Sequence, residues 1–161
     1  NMAQALACRY PTIFKGVVNV VGMHHKDLSC IPNQPVNFII YGGMKDTTVP
    51  PIKIKASDGY FYEPMRDTFE AWSEQFDCKS IKQSSFNLND DFEKNVASGC
   101  KNNVQVISLL NKEKGHLWPG IDRSVGYCYS RPQSNLNYSK CNFSISNEWG
   151  NDFLINLLFD L

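Results

Sequence analysis

The sequence has no apolar run long enough to cross a bilayer and no run of like charge. Its longest apolar stretches, residues 17–22 and 37–41, are far shorter than the roughly 20 residues that a membrane helix needs. The 16 basic and 16 acidic residues balance, and no predicted helix carries the basic stripe of a nucleic-acid binder. No charged-then-apolar targeting segment opens the chain. We therefore expect neither a membrane nor a nucleic acid as a partner.

The sequence also lacks a CxxC motif and any Cys/His pair at zinc spacing, so we expect no metal and no cofactor. An even set of cysteines fits three disulfides in an oxidising compartment, and six buried reduced thiols are the alternative. Two glycosylation sequons begin at Asn137 and Asn142 and favour an exposed segment of a secreted protein. The cysteines are Cys8, Cys30, Cys78, Cys100, Cys128 and Cys141.

With 161 residues and 42% hydrophobic content, the chain is long enough for one compact domain with a core. Three runs of β-branched and aromatic residues, at 17–21, 36–41 and 104–110, predict buried strands. An amphipathic helix is predicted between the second and third runs, and another from about residue 148. The first of these helices has Pro64 near its start and places Met65, Phe69, Trp72 and Phe76 on one face.

Continuous apolar strands separated by helices are typical of an α/β architecture, with a mostly parallel sheet flanked by helices on both faces. Residues 2–9 have a helical pattern without a capping residue before them, and three strands are few for such a sheet. We therefore expect residues 1–161 to be the C-terminal part of a single larger domain, with further strands upstream. Residues 121–144 are irregular, and we expect a surface excursion held by a Cys128–Cys141 disulfide.

Polar residues that follow the predicted strands indicate where the chemistry lies. In open α/β sheets the functional residues cluster at the carboxyl ends of the strands. Asp46 follows the second run and His116 follows the third, in the order of acid and base found in Ser/His/Asp hydrolases. On spacing alone this is also consistent with an ordinary loop acid and an ordinary loop histidine. The doublet His24-His25 has no acidic ligand cluster beside it, so we assign it no role.

Several separated motifs resemble, in this order, the α/β-hydrolase esterases that group polyhydroxybutyrate depolymerases with feruloyl and acetylxylan esterases. The resemblance extends from residue 1 to about residue 120. It is carried by MAQALACRYP at 2–11, the Val-rich run ending in Gly22, YGG at 41–43 leading to Asp46 and Val49-Pro50, Trp72 before Cys78, Gly99-Cys100, and GHLWPG at 115–120.

The resemblance implies an α/β-hydrolase fold and a secreted, feruloyl esterase-like serine hydrolase that cleaves esters of plant cell-wall polysaccharide through an acyl-enzyme. Asp46 would be the acid of its triad and His116 the base. The GxSxG elbow of such enzymes is missing from the 161 residues, so the nucleophile and oxyanion hole are expected upstream and this stretch alone is expected to be inactive. The alternatives are a polyester depolymerase, an acetylxylan esterase, or an inactive relative that only binds its ligand.

Two departures from the esterase pattern keep alternatives open. The loop after Tyr41 is one residue longer than the HGTxD form, which makes Asp58 the alternative acid, and Leu117 stands where Thr is usual. Trp118 is either a wall of the substrate cleft or a turn anchor. The resemblance also implies a Cys78–Cys100 disulfide, which leaves Cys8 to pair with Cys30 or to stay free.

Overall fold

The computed structural model describes residues 2–25, 30–88 and 90–118, with the backbone alone at positions 88 and 90. Residues 2–116 belong to one compact unit. Its elements are α1 (Met2–Arg9), β1 (Gly16–Val20), β2 (Asn37–Gly43), α2 (Met65–Gln75), β3 (Ser80–Leu88), β4 (Asp90–Ser98), a short 3-10 turn (Lys101–Asn103) and β5 (Val106–Asn111).

The five strands form one mixed sheet in the order β1-β2-β5-β4-β3. β1 pairs with β2 and β2 with β5 in parallel, whereas β4 is antiparallel to both β5 and β3. The described residues contain two α-helices beside this sheet. The expectation of a mostly parallel, helix-flanked sheet with an α/β-hydrolase fold is therefore wrong for the part of the chain that the structure describes.

The antiparallel half of the sheet is a hairpin whose two strands are largely polar. Polar strands of this kind arise where one face of an antiparallel sheet meets solvent, so they lack the continuous apolar run that predicts a buried strand. Phe86 and Phe92 face each other across the hairpin, and their rings stack with centroids 5.1 Å apart. The hairpin is therefore held by cross-strand pairs and by its backbone ladder.

Helix α2 begins after Pro64, whose missing N–H costs nothing at a helix start, and the helix covers β2 and β5. Its buried face carries Met65, Phe69 and Trp72. The indole of Trp72 stacks on Phe38 of β2 with ring centroids 3.8 Å apart. Burying an aromatic pair of this size contributes on the order of several kcal/mol, so this contact fixes the helix over the centre of the sheet.

The three apolar runs form β1, β2 and β5, with ends that differ from the prediction by one or two residues. In β2, the residues from Phe38 to Gly43 are all buried although successive residues face opposite sides of the sheet. Both faces of this strand are therefore covered, as its continuous apolar sequence indicates.

Two disulfides connect the described elements. Cys78–Cys100 joins the end of α2 to the segment before β5, and Cys8–Cys30 joins α1 to the segment after β1. Each closes a loop over a sequence separation of 22, for which a stabilisation of about 3 kcal/mol is typical. Two disulfides are compatible with a secreted or extracellular protein.

Some expectations lie outside the described residues. These are the Cys128–Cys141 disulfide, the sequons at Asn137 and Asn142, the excursion at 121–144 and the helix from about residue 148. Assignment of the whole chain to a single domain also stays a prediction. Within the described ranges, no helix has the length and apolarity required to span a membrane.

Candidate active site

Asp46 and His116 lie together at the edge of the sheet where β2 and β5 end. The two strands are parallel neighbours, with Gly43 opposite Asn111 at their carboxyl ends. The loops that leave these ends therefore start side by side. This placement brings together two side chains that are 70 positions apart in sequence.

The loop after β2 is a tight turn that is bonded to the loop after β5. Its amide at Asp46 donates to the carbonyl of Gly43 over 3.0 Å. The two intervening amides bond to the end of β5 and to the loop after it. Met44 N–H donates to the Asn111 carbonyl at 2.8 Å, and Lys45 N–H donates to the Lys114 carbonyl at 2.9 Å. Asp46 and His116 are therefore positioned by hydrogen bonds between the backbones of the two loops as well as by their own contact.

The close approach of the two loops explains the glycine at position 43. A Cβ atom there would lie 2.4 Å from the carbonyl oxygens of both Lys114 and Gly115, a separation that real Cβ atoms do not show. Gly115 is also approached closely, since its Cβ would lie 3.2 Å from the Lys45 carbonyl oxygen. Glycine is needed at position 43 for space, so that backbone can pack on backbone.

Asn111 shapes the other loop. Its side chain is fully buried, and its Oδ1 accepts the amide hydrogens of Glu113 at 3.0 Å and Lys114 at 3.1 Å. This local bond turns the chain sharply as β5 ends. The turn carries the backbone to His116, so Asn111 is a positioning residue that the sequence interpretation missed.

The carboxylate of Asp46 is buried, with a side-chain exposure of 0%, and its oxygens are bonded on both sides. Oδ1 accepts the backbone N–H groups of Thr48 and Val49, each at 2.8 Å. Oδ2 lies 2.8 Å from Nδ1 of His116. Both oxygens of this buried carboxylate therefore have hydrogen-bond partners.

This contact determines which ring nitrogen of His116 is available for chemistry. An ionised carboxylate only accepts hydrogen bonds, so Nδ1 of His116 carries the proton that it donates to Asp46. The other nitrogen, Nε2, then presents a lone pair, and the side chain is 42% exposed. A histidine oriented in this way can take a proton at Nε2 and return it, while the carboxylate stabilises the charged ring.

Asp58, the alternative acid, is engaged elsewhere. Its Oδ2 accepts the hydroxyl hydrogen of Tyr62 at 2.6 Å, and its Oδ1 accepts the Tyr60 amide at 2.9 Å. The bond to Tyr62 lowers the pKa of the Asp58 carboxyl and raises the pKa of Tyr62 to about 12. The structure places Asp46, and not Asp58, beside the histidine.

The histidine doublet lies apart from Asp46 and His116. His24 is buried edge-on against Trp72, with ring centroids 6.4 Å apart, whereas the His25 ring lies 4.7 Å from the ring of Tyr62. No group of three or more His, Cys, Asp or Glu side chains suited to a metal occurs among the described residues. Trp118 is 38% exposed, and its place in a substrate cleft stays a prediction.

The burial of His24 makes stability depend on pH. Burial lowers the pKa of His24 from 6.5 to about 4, so between these values the unfolded chain binds more protons than the folded one. We expect the free energy of unfolding to fall as the pH decreases from about 6.5 to about 4, by roughly 3 kcal/mol from this group. Urea unfolding at a series of pH values measures this. His24→Gln should remove that part of the slope and His25→Gln should keep it; equal slopes would contradict the assignment.

No family model and no curated protein matches this chain. The features that bear on its activity are therefore the geometry of Asp46 and His116 and the motifs of the sequence.

Proposed function

We propose that the protein is a serine carboxylic-ester hydrolase in which His116 is the general base and Asp46 orients it. The observation that carries this proposal is the 2.8 Å contact between a fully buried carboxylate and Nδ1 of a histidine whose ring is partly exposed. A histidine that served only packing would not need an exposed ring, and an acid that served only the loop would be satisfied by the amides of Thr48 and Val49.

In the first half of the reaction, a serine hydroxyl loses its proton to Nε2 of His116 as its oxygen bonds to the ester carbonyl carbon. The carbonyl electron pair moves to its oxygen, which becomes an oxyanion. When this electron pair re-forms the carbonyl bond, the bond to the alcohol oxygen breaks. The alcohol oxygen takes the proton from Nε2, which leaves an acyl-serine. Asp46 keeps its negative charge throughout and stabilises the imidazolium.

In the second half, water replaces the alcohol. Nε2 of His116 takes a proton from water as the water oxygen bonds to the acyl carbon, and the serine oxygen leaves with that proton. The products are a carboxylic acid and the regenerated serine. In this proposal the nucleophilic serine lies outside these 161 residues, which contain no GxSxG motif.

The proposed substrate is a feruloyl ester of plant cell-wall polysaccharide. The support for it is the ordered set of motifs that resemble esterases, in particular GHLWPG at 115–120. Polyester and acetylated xylan are the other substrates that such motifs indicate. A secreted location is part of this proposal, and the two disulfides and the sequons at Asn137 and Asn142 support it.

Labelling with a fluorophosphonate tests the proposal, because this probe reacts only with an activated serine. We expect the natural full-length protein to be labelled at a single serine, and His116→Ala to slow labelling at least about 1,000-fold because the base is lost. Intact-mass and peptide mass spectrometry measure the label. Turnover of methyl ferulate, acetylated xylan and hydroxybutyrate oligomers then identifies the ester.

Two outcomes would contradict the proposal. One is a folded full-length protein that takes up no label, which would indicate a relative that only binds its ligand. The other is equal labelling of the parent protein and His116→Ala, which would remove this histidine from the mechanism. His25→Ala serves as the matched control, since His25 also carries an imidazole but lies against Tyr62.

A further inference from the structure

An open cavity of about 490 Å³ lies between α2 and the antiparallel half of the sheet. Small-molecule sites typically have volumes of about 300–1,000 Å³. Met65 and Phe69 of α2 form one wall, and Ile81 and Gln83 of β3 form the opposite wall. We call this cavity the hairpin groove.

The floor of the hairpin groove is a row of polar side chains that crosses from β4 to β5. Asn95 and Ser108 are partners in the strand register, and Nδ2 of Asn95 donates to Oγ of Ser108 at 3.1 Å. The same Nδ2 lies 3.4 Å from Oε1 of Glu93, which also lines the groove. Ser108 is only 2% exposed, and Asn95 and Glu93 are half-buried, so the row extends from the interior to the open side of the groove.

The neighbouring row of the sheet, under the same helix, is apolar and closely packed. Ala97 and Val106 are register partners two residues along the strands, both are fully buried, and both belong to the apolar core with Trp72. Asn95 and Ser108 line the open space, whereas Ala97 and Val106 are packed in the core. Polar groups around an open space are suited to a ligand that forms hydrogen bonds.

The hydrogen-bonding groups of the floor, and Gln83 in the wall beside it, have unused capacity. Among the described residues, no donor bonds to Oδ1 of Asn95, and no side chain bonds to the amide of Gln83. These groups offer both acceptors and donors, which matches hydroxyl groups since each hydroxyl can donate and accept.

The charges that line the groove favour a neutral ligand. Glu93 makes no ion pair with any described residue, and Arg66 at the rim is paired with Glu70 at 2.8 Å. The lining therefore has two carboxylates and one guanidinium, an excess of negative charge that disfavours anions such as free ferulate or phosphate. The exposed apolar side chains of the lining, Ile52 and Ile81, suit the C–H face of a sugar ring.

The groove ends against the segments that carry the catalytic pair. Pro51 and Ile52 line it and follow the loop of Asp46, and Leu110 lines it next to Asn111, which shapes the loop of His116. A polysaccharide is long enough to occupy the groove while an ester on another of its sugar units reaches His116.

We propose that the hairpin groove binds one or two neutral sugar units of the polysaccharide, apart from the ester that is cleaved. This inference rests on the proposed function for the nature of the substrate. Glu93 and Asn95 contact the sugar hydroxyls, Ser108 holds the amide of Asn95 in place, and Ile52 and Ile81 contact the ring.

Binding of unesterified xylotetraose to the full-length protein tests the groove without any catalytic step. Calorimetry on the His116→Ala background gives the Kd. We expect Gln83→Trp, which places a large ring in the groove, to raise the Kd at least tenfold. Ser84→Trp is the matched control, because the adjacent residue of an edge strand points to the other face of the sheet; it should leave the Kd unchanged.

A second pair of variants covers the case in which a Trp variant fails to fold. Asn95→Ala should raise the Kd for xylotetraose severalfold, whereas Asn87→Ala, at the exposed end of the hairpin, should not. The inference would be overturned if each groove variant had the same Kd as its control variant. It would also be overturned if the parent protein did not bind xylotetraose. Binding of a hydroxybutyrate tetramer in place of xylotetraose would overturn it as well.

The outcomes separate this inference from the proposed function. Fluorophosphonate labelling with unchanged Kd values in all groove variants would leave an esterase whose sugar site is elsewhere. Xylotetraose binding that depends on Gln83 and Asn95, without labelling of any serine, would leave a sugar-binding protein without esterase activity.

Discussion

Asp46→Asn is expected to lower kcat for methyl ferulate by about 10,000-fold in the full-length protein. An asparagine keeps the shape of the side chain but can present its NH₂ group to His116, which favours the proton on the wrong ring nitrogen; for the corresponding change in a Ser/His/Asp enzyme the loss is about 10⁴. The buried site gives the amide no alternative orientation in solvent, because the Asp46 side chain has no exposed surface. Steady-state kinetics measure the effect.

Asp58→Asn is the matched control for this variant. It removes a carboxylate that is bonded to Tyr62 and Tyr60 and not to His116. We expect kcat close to that of the parent, together with a fall in the pKa of Tyr62 from about 12, since the charged acceptor is lost. Absorbance titration of the tyrosines follows that pKa. A large loss of kcat in Asp58→Asn with a small loss in Asp46→Asn would reverse the assignment.

The positions of Asp46 and His116 could be predicted from sequence because they depend on local signals. Both residues follow apolar runs that form β2 and β5, and neighbouring parallel strands end at a common edge. The helix that carries Trp72 was predictable for the same reason, since its apolar face recurs at helical spacing. These features need no knowledge of distant residues.

The antiparallel hairpin could not be predicted in the same way, and the error in the fold class follows from it. The apolar pattern that predicts a strand becomes weak when the strand is exposed to solvent along much of its length. Ile81 of β3, for example, is 61% exposed. Pairing between β3 and β4 is stabilised by backbone bonds and cross-strand pairs such as Phe86 with Phe92, which single-sequence periodicity does not reveal.

The residues that position the candidate site could also have been noted from the sequence, because two local patterns point to them. Asn111 stands at the end of an apolar run, where a short polar side chain that bonds to nearby amides is common. Gly42-Gly43 stands at the end of another, where a glycine pair indicates close approach of backbone. Each signal predicts a local feature of the backbone, but neither identifies the distant loop that this feature contacts. The contacts of Gly43 with Lys114 and Gly115 depend on the tertiary fold.

Gly43→Ala is expected to damage both stability and catalysis. The new Cβ atom would meet two backbone carbonyl oxygens at 2.4 Å, and backbone cannot rotate away as a side chain can, so the loops of Asp46 and His116 must separate. Forcing such a shift costs about 2 kcal/mol or more. A displacement of the base by about 1 Å lowers kcat by about 100-fold, since proton transfer depends on the alignment of the reacting groups. Urea unfolding and steady-state kinetics measure the two effects.

Gly42→Ala is the control that isolates the backbone contact. Its Cβ atom would meet Cε of Met23 at 2.7 Å and Sδ of Met65 at 3.2 Å, both of which belong to flexible side chains that can adopt other rotamers. We therefore expect a smaller loss of stability and little change in kcat. The two glycines are adjacent in β2 and have the same intrinsic propensity, but they face opposite sides of the sheet, so the variants differ in the atoms that the new Cβ meets. Equal losses in the two variants would show that the junction between the loops of Asp46 and His116 does not determine the alignment of the pair.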